Sequence, residues 1–143
     1  MRQYSILLLP LLLSACVDDS ASYYVGDNSS GHALTVHRAQ PHFWSKEVDV
    51  ELIMSRLPEC QRRVTLTTLP ADEVEIELYA NGDNIWTLRY GKEAWQIDTQ
   101  TCTQFNEAKG DGGELIGVFR DENGKLAFAA AVSVAVPDPA PPQ

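Results

Sequence analysis

The chain has 143 residues, a formal net charge of −9, 44% apolar residues and three cysteines, which is enough for one ordinary domain with one buried core and too little for several. Twenty Asp or Glu stand against eleven Lys or Arg, a balance that excludes a nucleic-acid-binding module and excludes adhesion to anionic headgroups by charge.

Residues 1–15 stand apart from the rest. Arg2 is followed by an apolar stretch over residues 6–13, interrupted only by Pro10, and then by the small residues Ser14 and Ala15. That is the three-part layout of a secretory signal, and its apolar run is shorter than the roughly 20 residues needed to span a bilayer. The tetrapeptide Leu13-Ser14-Ala15-Cys16 resembles the lipobox of bacterial lipoprotein precursors; the resemblance covers residues 1–16 and no more. It implies cleavage between Ala15 and Cys16, a diacylglyceryl thioether on Cys16 and a further acyl chain on the new amino terminus. At ~0.8 kcal/mol per buried methylene one chain holds a protein only reversibly, so several chains on one residue make a permanent anchor. In lipoprotein families an Asp directly after the cysteine favours the inner membrane. Val17 stands there instead, so the resemblance implies an outer-membrane protein facing the periplasm, with the membrane as partner through acyl chains on Cys16. Without residues 1–15 the chain has 128 residues and a charge of −10.

Residues 16–31 are rich in Asp, Ser, Asn and Gly and read as a lipidated flexible tether. Residues 137–143, dense in proline, read as a disordered tail. The globular domain is expected between them, over residues 32–136, without internal repeats.

Period-two alternation dominates that domain. Val48, Val50, Leu52 and Met54 alternate with Asp49, Glu51 and Ile53; a helical turn through Val50, Ile53, Met54 and Leu57 is the lesser alternative. Val74, Ile76 and Leu78 alternate with Glu73, Glu75 and Glu77, and the turn Asn81-Gly82-Asp83-Asn84 leads to a strand with Trp86, Leu88 and Tyr90 on one side. After Gly91-Lys92 a third strand is expected to carry Trp95, Ile97, Thr99 and Thr101 to Cys102. Beyond the glycine-rich loop at residues 110–113 come two strands around Glu122-Asn123-Gly124, the second reaching Val136; Asn-Gly is a strong hairpin signal because both turn positions need positive φ. The fold class implied is all-β, a small antiparallel barrel or sandwich.

With Cys16 assigned to lipid, Cys60 and Cys102 remain in an oxidising compartment and are expected to form one structural disulfide, the alternative being two buried free thiols. The chain carries little that resembles catalysis. His32, His37 and His42 cluster in sequence, but no H-x-H or H-E-x-x-H spacing and no cysteine partner accompanies them, so no metal or other cofactor is expected. There is no G-x-S-x-G motif and no P-loop lysine. The set Trp86, Arg89, Tyr90 and Trp95 is the candidate binding surface, an aromatic platform suited to sugars or aromatic side chains, with a core role as its competitor.

The expectation is therefore a non-enzymatic binding or accessory module of the cell envelope with an envelope protein or glycan as partner and no nucleic acid. Periplasmic lysozyme inhibitors are similar in being small, disulfide-braced β-barrel lipoproteins, although the S-G-x-x-Y signature of one such family is absent. The competing expectations are a cell-wall hydrolase working through paired carboxylates and an assembly factor that lends a strand edge to a partner's sheet.

Overall fold

The computed structural model describes residues 16–26, 31–107 and 112–132. Ten strands occur there: β1 (Asp18–Tyr24), β2 (His32–Ala39), β3 (Glu47–Arg56), β4 (Cys60–Pro70), β5 (Glu75–Ala80), β6 (Ile85–Tyr90), β7 (Glu93–Asp98), β8 (Thr103–Gln104), β9 (Glu114–Glu122) and β10 (Lys125–Ala130). They form two antiparallel sheets, ordered β1-β2-β3-β4 and β10-β9-β5-β6-β7-β8. Among the described residues the sheets do not join into a closed barrel, so the sandwich is the member of the expected pair that the chain adopts.

Alternation explains the layering. Leu34 and Val36 of β2, and Val48, Val50, Leu52 and Met54 of β3, are fully buried on one sheet; Ile76, Leu78, Leu88, Ile97 and Phe119 are fully buried on the other, in the same cluster. Each inward residue is two positions from the next, so successive side chains fall on the same pleated face. The helical alternative for residues 50–57 fails because Val50, Leu52 and Met54 all pair across β2 and β4 as strand positions. Pro70 and a single 3-10 turn at Ala71–Glu73 carry the chain from the first sheet to the second.

The β5-β6-β7 meander follows the expected order, with Leu78 opposite Leu88 and Leu88 opposite Trp95. The third strand stops earlier than expected. Asp98 accepts the Gln100 amide at 2.7 Å and turns the chain, so Cys102 sits after a turn with φ of 51° rather than on the strand. At the β9-β10 turn Asn123 and Gly124 have φ of 55° and 83°, as the dipeptide predicts. Gly117 of β9 has a different role: a Cβ there would lie 2.5 Å from the Phe128 ring and closer still to the Ala129 carbonyl, so its missing side chain lets the ring lie across the strand. The last strand is described only to Ala130, and its expected continuation to Val136 falls largely outside the described residues, as do residues 1–15 with Ala15, and the tail at 137–143.

The largest departure from expectation is the tether. Asp18–Tyr24 of the expected flexible segment is β1, paired with β2 from Asp18↔Ala39 to Tyr24↔Ala33. Polar composition hides its alternation: Val17, Ala21, Tyr23 and Val25 pack on the core, while Asp18, Ser20 and Tyr24 are exposed. Ser22 and Thr35 hydroxyls meet at 2.7 Å across the pair. The Tyr23 ring packs against Trp86 and Phe128 at 5.6 and 5.2 Å between centroids.

The Cys60–Cys102 disulfide forms, with a Cα–Cα distance of 6.1 Å, and it links β4 of one sheet to the turn ahead of β8 in the other. Strand directions then define two ends of the sandwich. The near end carries Cys16, residues 40–46, the 3-10 turn and the β9-β10 turn; the far end carries the disulfide and the β5-β6 turn.

Candidate functional site

The four residues expected to form an aromatic platform are not brought together. Trp86, Leu88 and Tyr90 do share a face of β6, and Trp95 lies opposite Leu88, but that face is the one covered by the other sheet. Trp86 is only 6% exposed, and Tyr90 and Trp95 are half-buried against the core. Arg89, one position out of phase, lies on the opposite side with its guanidinium 5.3 Å from the centre of the Tyr79 ring. The core competitor thus describes the three aromatic residues.

Arg89 belongs instead to an open cleft of about 540 Å³ lined with Tyr90, Gly91, Asp72, Glu73, Glu75 and Glu77. Glu77 lies opposite Arg89 and Glu75 opposite Arg120 in the strand register, and Glu77 accepts the Tyr79 hydroxyl at 2.8 Å. That hydrogen bond and partial burial hold the Tyr79 phenol above its usual pKa. Opposite charges placed opposite each other in the register stabilise a solvated sheet face.

The three histidines go to three different places. His37 on β2 lies between Asp18 at 2.8 Å and Glu51 at 3.4 Å. His42 stacks on Trp44 with 4.7 Å between ring centres. His32 Nε2 meets the Thr99 hydroxyl at 3.0 Å at the far end. Thr99 is fully buried; its oxygen also receives Trp86 Nε1–H at 3.2 Å and it donates to the Asn84 carbonyl at 3.2 Å. A hydroxyl has one proton to give and two lone pairs, so His32 must be the donor here and carries its proton on Nε2. Burial, with the nearby Arg56 charge, holds the His32 pKa below the ordinary 6.5.

The near end is organised around Arg38, a buried arginine with 1% side-chain exposure. Nε donates to Asp19 Oδ1 at 2.6 Å and Nη2 to Asp19 Oδ2 at 3.1 Å. Nη1 meets Asp121 Oδ2 at 2.7 Å and donates to the Ala71 carbonyl at 2.6 Å, while Nη2 also reaches the Gly124 carbonyl at 3.3 Å. All five N–H groups of the guanidinium are therefore used. The partners come from β1, the 3-10 turn, β9 and the β9-β10 turn, so one side chain of β2 ties the two sheets together. Asp19 Oδ2 further accepts the Leu126 amide at 2.7 Å. Burial alone would raise the Asp19 pKa, but the Arg38 hydrogen bonds, the Leu126 amide and the Arg38 charge outweigh it and hold the carboxyl below its ordinary 3.8.

Beside this knot lies the feature with the clearest outward character, the β2-β3 loop at residues 40–46. Phe43 and Trp44 are each 67% exposed and pack edge to face with 4.7 Å between ring centres. The loop is braced: the Ser45 amide donates to the His42 carbonyl at 2.9 Å, Ser45 Oγ donates to the Glu47 carbonyl at 2.9 Å, and the Ala71 amide donates to the Lys46 carbonyl at 3.3 Å. Gln40 connects it to the start of the described chain. Its backbone amide donates to the Val17 carbonyl at 2.8 Å, its side-chain oxygen accepts the Val17 amide at 3.2 Å, and its Nε2 donates to the Ser45 carbonyl. Cys16, exposed and outside the disulfide, is the next residue. No periodicity marks this loop in the sequence; the one signal there is three consecutive aromatic rings, His42-Phe43-Trp44, between Pro41 and a serine.

Fold and site together define a disulfide-bridged antiparallel β-sandwich with an ion-paired near end and an exposed aromatic loop there. No protein-family model, no curated protein and no solved structure matches the chain.

Proposed function

We propose that this chain is a bacterial lipoprotein, acylated on Cys16 and held at the periplasmic face of the outer membrane, where its sandwich acts as a non-catalytic binding or accessory module of the envelope. The observation that carries the reading is the lipobox-like Leu13-Ser14-Ala15-Cys16 behind an apolar stretch. Two features agree with it. Cys16 is exposed and free of the disulfide, so its sulfur is accessible for a thioether. Cys60 and Cys102 are paired, as suits an oxidising compartment.

The test is intact mass and fractionation of the protein made in a bacterial host, beside a Cys16→Ser variant. The expected protein begins at Cys16, carries acyl mass and sediments with membranes, and the variant loses both the mass and the sedimentation. Equal mass and equal fractionation of the two proteins would overturn the proposal.

A further inference from the structure

We infer that the exposed Phe43-Trp44 tip is a second membrane contact, seated in the interfacial layer of the bilayer that holds Cys16, so that the sandwich lies with its near end against the lipid. The inference rests on the lipoprotein reading of Cys16 and adds to it an orientation and an insertion site.

The link between anchor and domain is short. β1 begins at Asp18, so only two residue steps separate Cys16 from a strand of the sheet, and at about 3.3 to 3.6 Å per residue they span no more than ~7 Å. A flexible tether would let the domain tumble far from the surface; this link holds the near end within a headgroup layer's thickness of the anchor. Anchor and loop are also joined directly. Val17, adjacent to Cys16, makes both of its backbone hydrogen bonds to Gln40, whose side-chain amide also holds the Ser45 carbonyl. The loop is thereby hydrogen-bonded to the residue next to the anchor.

The chemistry of the tip fits the boundary of a bilayer. Two large rings, each two-thirds in water and braced by the loop's hydrogen bonds rather than folded onto the core, leave apolar surface exposed in an otherwise acidic domain. Trp and Phe suit the water-hydrocarbon boundary, where an indole buries its ring and keeps its N–H in a polar layer. Lys46, one residue beyond Ser45, is exposed and can extend its ammonium to the headgroups. The near end also carries the exposed Asp18, Glu47, Asp72 and Glu122, against the exposed Lys46 and Lys125, so its net acidity makes charge attraction to anionic lipid a poor explanation. The contact is apolar and should therefore be insensitive to salt.

The experiment uses the full protein extracted from its membranes, with its mass measured, then reconstituted into phosphatidylcholine vesicles with and without brominated acyl chains. Trp44→Phe is the control, because Trp86 and Trp95 remain in both proteins and lie in or against the core. The expected result is acyl mass on Cys16, with bromine-dependent quenching and a blue-shifted emission that Trp44→Phe removes and that a change from about 0.15 to 1 M salt leaves alone, where the Debye length falls from about 8 to 3 Å. Acyl mass with identical quenching in both proteins overturns the tip contact and leaves the anchor standing. Absence of acyl mass overturns the anchor and this inference with it. Trp44 unquenched by lipid, yet shielded from acrylamide in native membranes, shows a protein on the tip and likewise overturns a lipid contact.

Discussion

The two ends of the sandwich are closed by opposite chemistry. At the near end a buried arginine gathers two carboxylates and two carbonyls, and every bond is charge-assisted. At the far end a disulfide and one buried threonine hydroxyl do the corresponding work, with a neutral histidine and an indole as donors. The difference teaches where each end can tolerate change. The far end is covalent. The near end depends on ionised side chains, and it is also the end where the chain emerges at Cys16 and displays its exposed aromatic loop.

The contrast breaks most sharply at Arg38. Arg38→Ala should cost ~3–5 kcal/mol in urea unfolding, because it leaves Asp19 and Asp121 facing a void with no cation. A loss under about 1 kcal/mol would mean the sheets are not closed by this knot. At the other end, Cys60→Ser with Cys102→Ser should cost roughly 3 to 4 kcal/mol, the value expected for opening a loop of 42 residues in the chain-entropy model. Because that effect lies in the unfolded chain, the folded near end should keep its structure, read as unchanged amide chemical shifts there.

A smaller effect separates the ends by pH. His32 has a folded pKa below 6.5, so the unfolded chain takes up its proton first, and far-end stability begins to fall as pH drops below 6.5 and stops falling once the folded pKa is passed. Asp19 has a folded pKa below 3.8, so its contribution is present above pH 3.8 and is lost as pH falls through the lower folded value. Urea midpoints measured from about pH 8 to 2 should show two separate declines. His32→Gln should remove the upper one and leave the lower, and a single decline below about pH 4 in the unaltered protein would contradict the assignment of His32.

Much of this was readable from residue order. Alternation placed β5, β6 and β7, Asn123-Gly124 placed the last hairpin, and the pairing of Cys60 with Cys102 was the expectation that the bridge meets. Other parts were not readable, for identifiable reasons. In β4 the ladder skips Leu66, since Val50 pairs with Thr67 and Glu51 with Thr65, and the bulge breaks the period that would have marked the strand. In β1 the inward positions include Asp19, whose partly buried carboxylate is met by Arg38 on the neighbouring strand. Its polar appearance concealed a structural role. The tryptophans show the same limit from the other side: alternation assigns Trp86, Tyr90 and Trp95 to one face but cannot say that a second sheet covers it. Phe43 and Trp44, on a loop without period, are the exposed aromatic pair.

The folded domain begins two residues after Cys16 and not after a tether, and on that the orientation of the whole sandwich depends. Hydrogen exchange across residues 17–25 tests it directly. β1 has a full antiparallel register with β2 and buries Ala21 and Tyr23 against the core, so its amides bonded to β2 should exchange orders of magnitude more slowly than a free peptide, with protection close to that of β2 itself. Exchange at free-peptide rates through this segment would contradict the account and restore a flexible link.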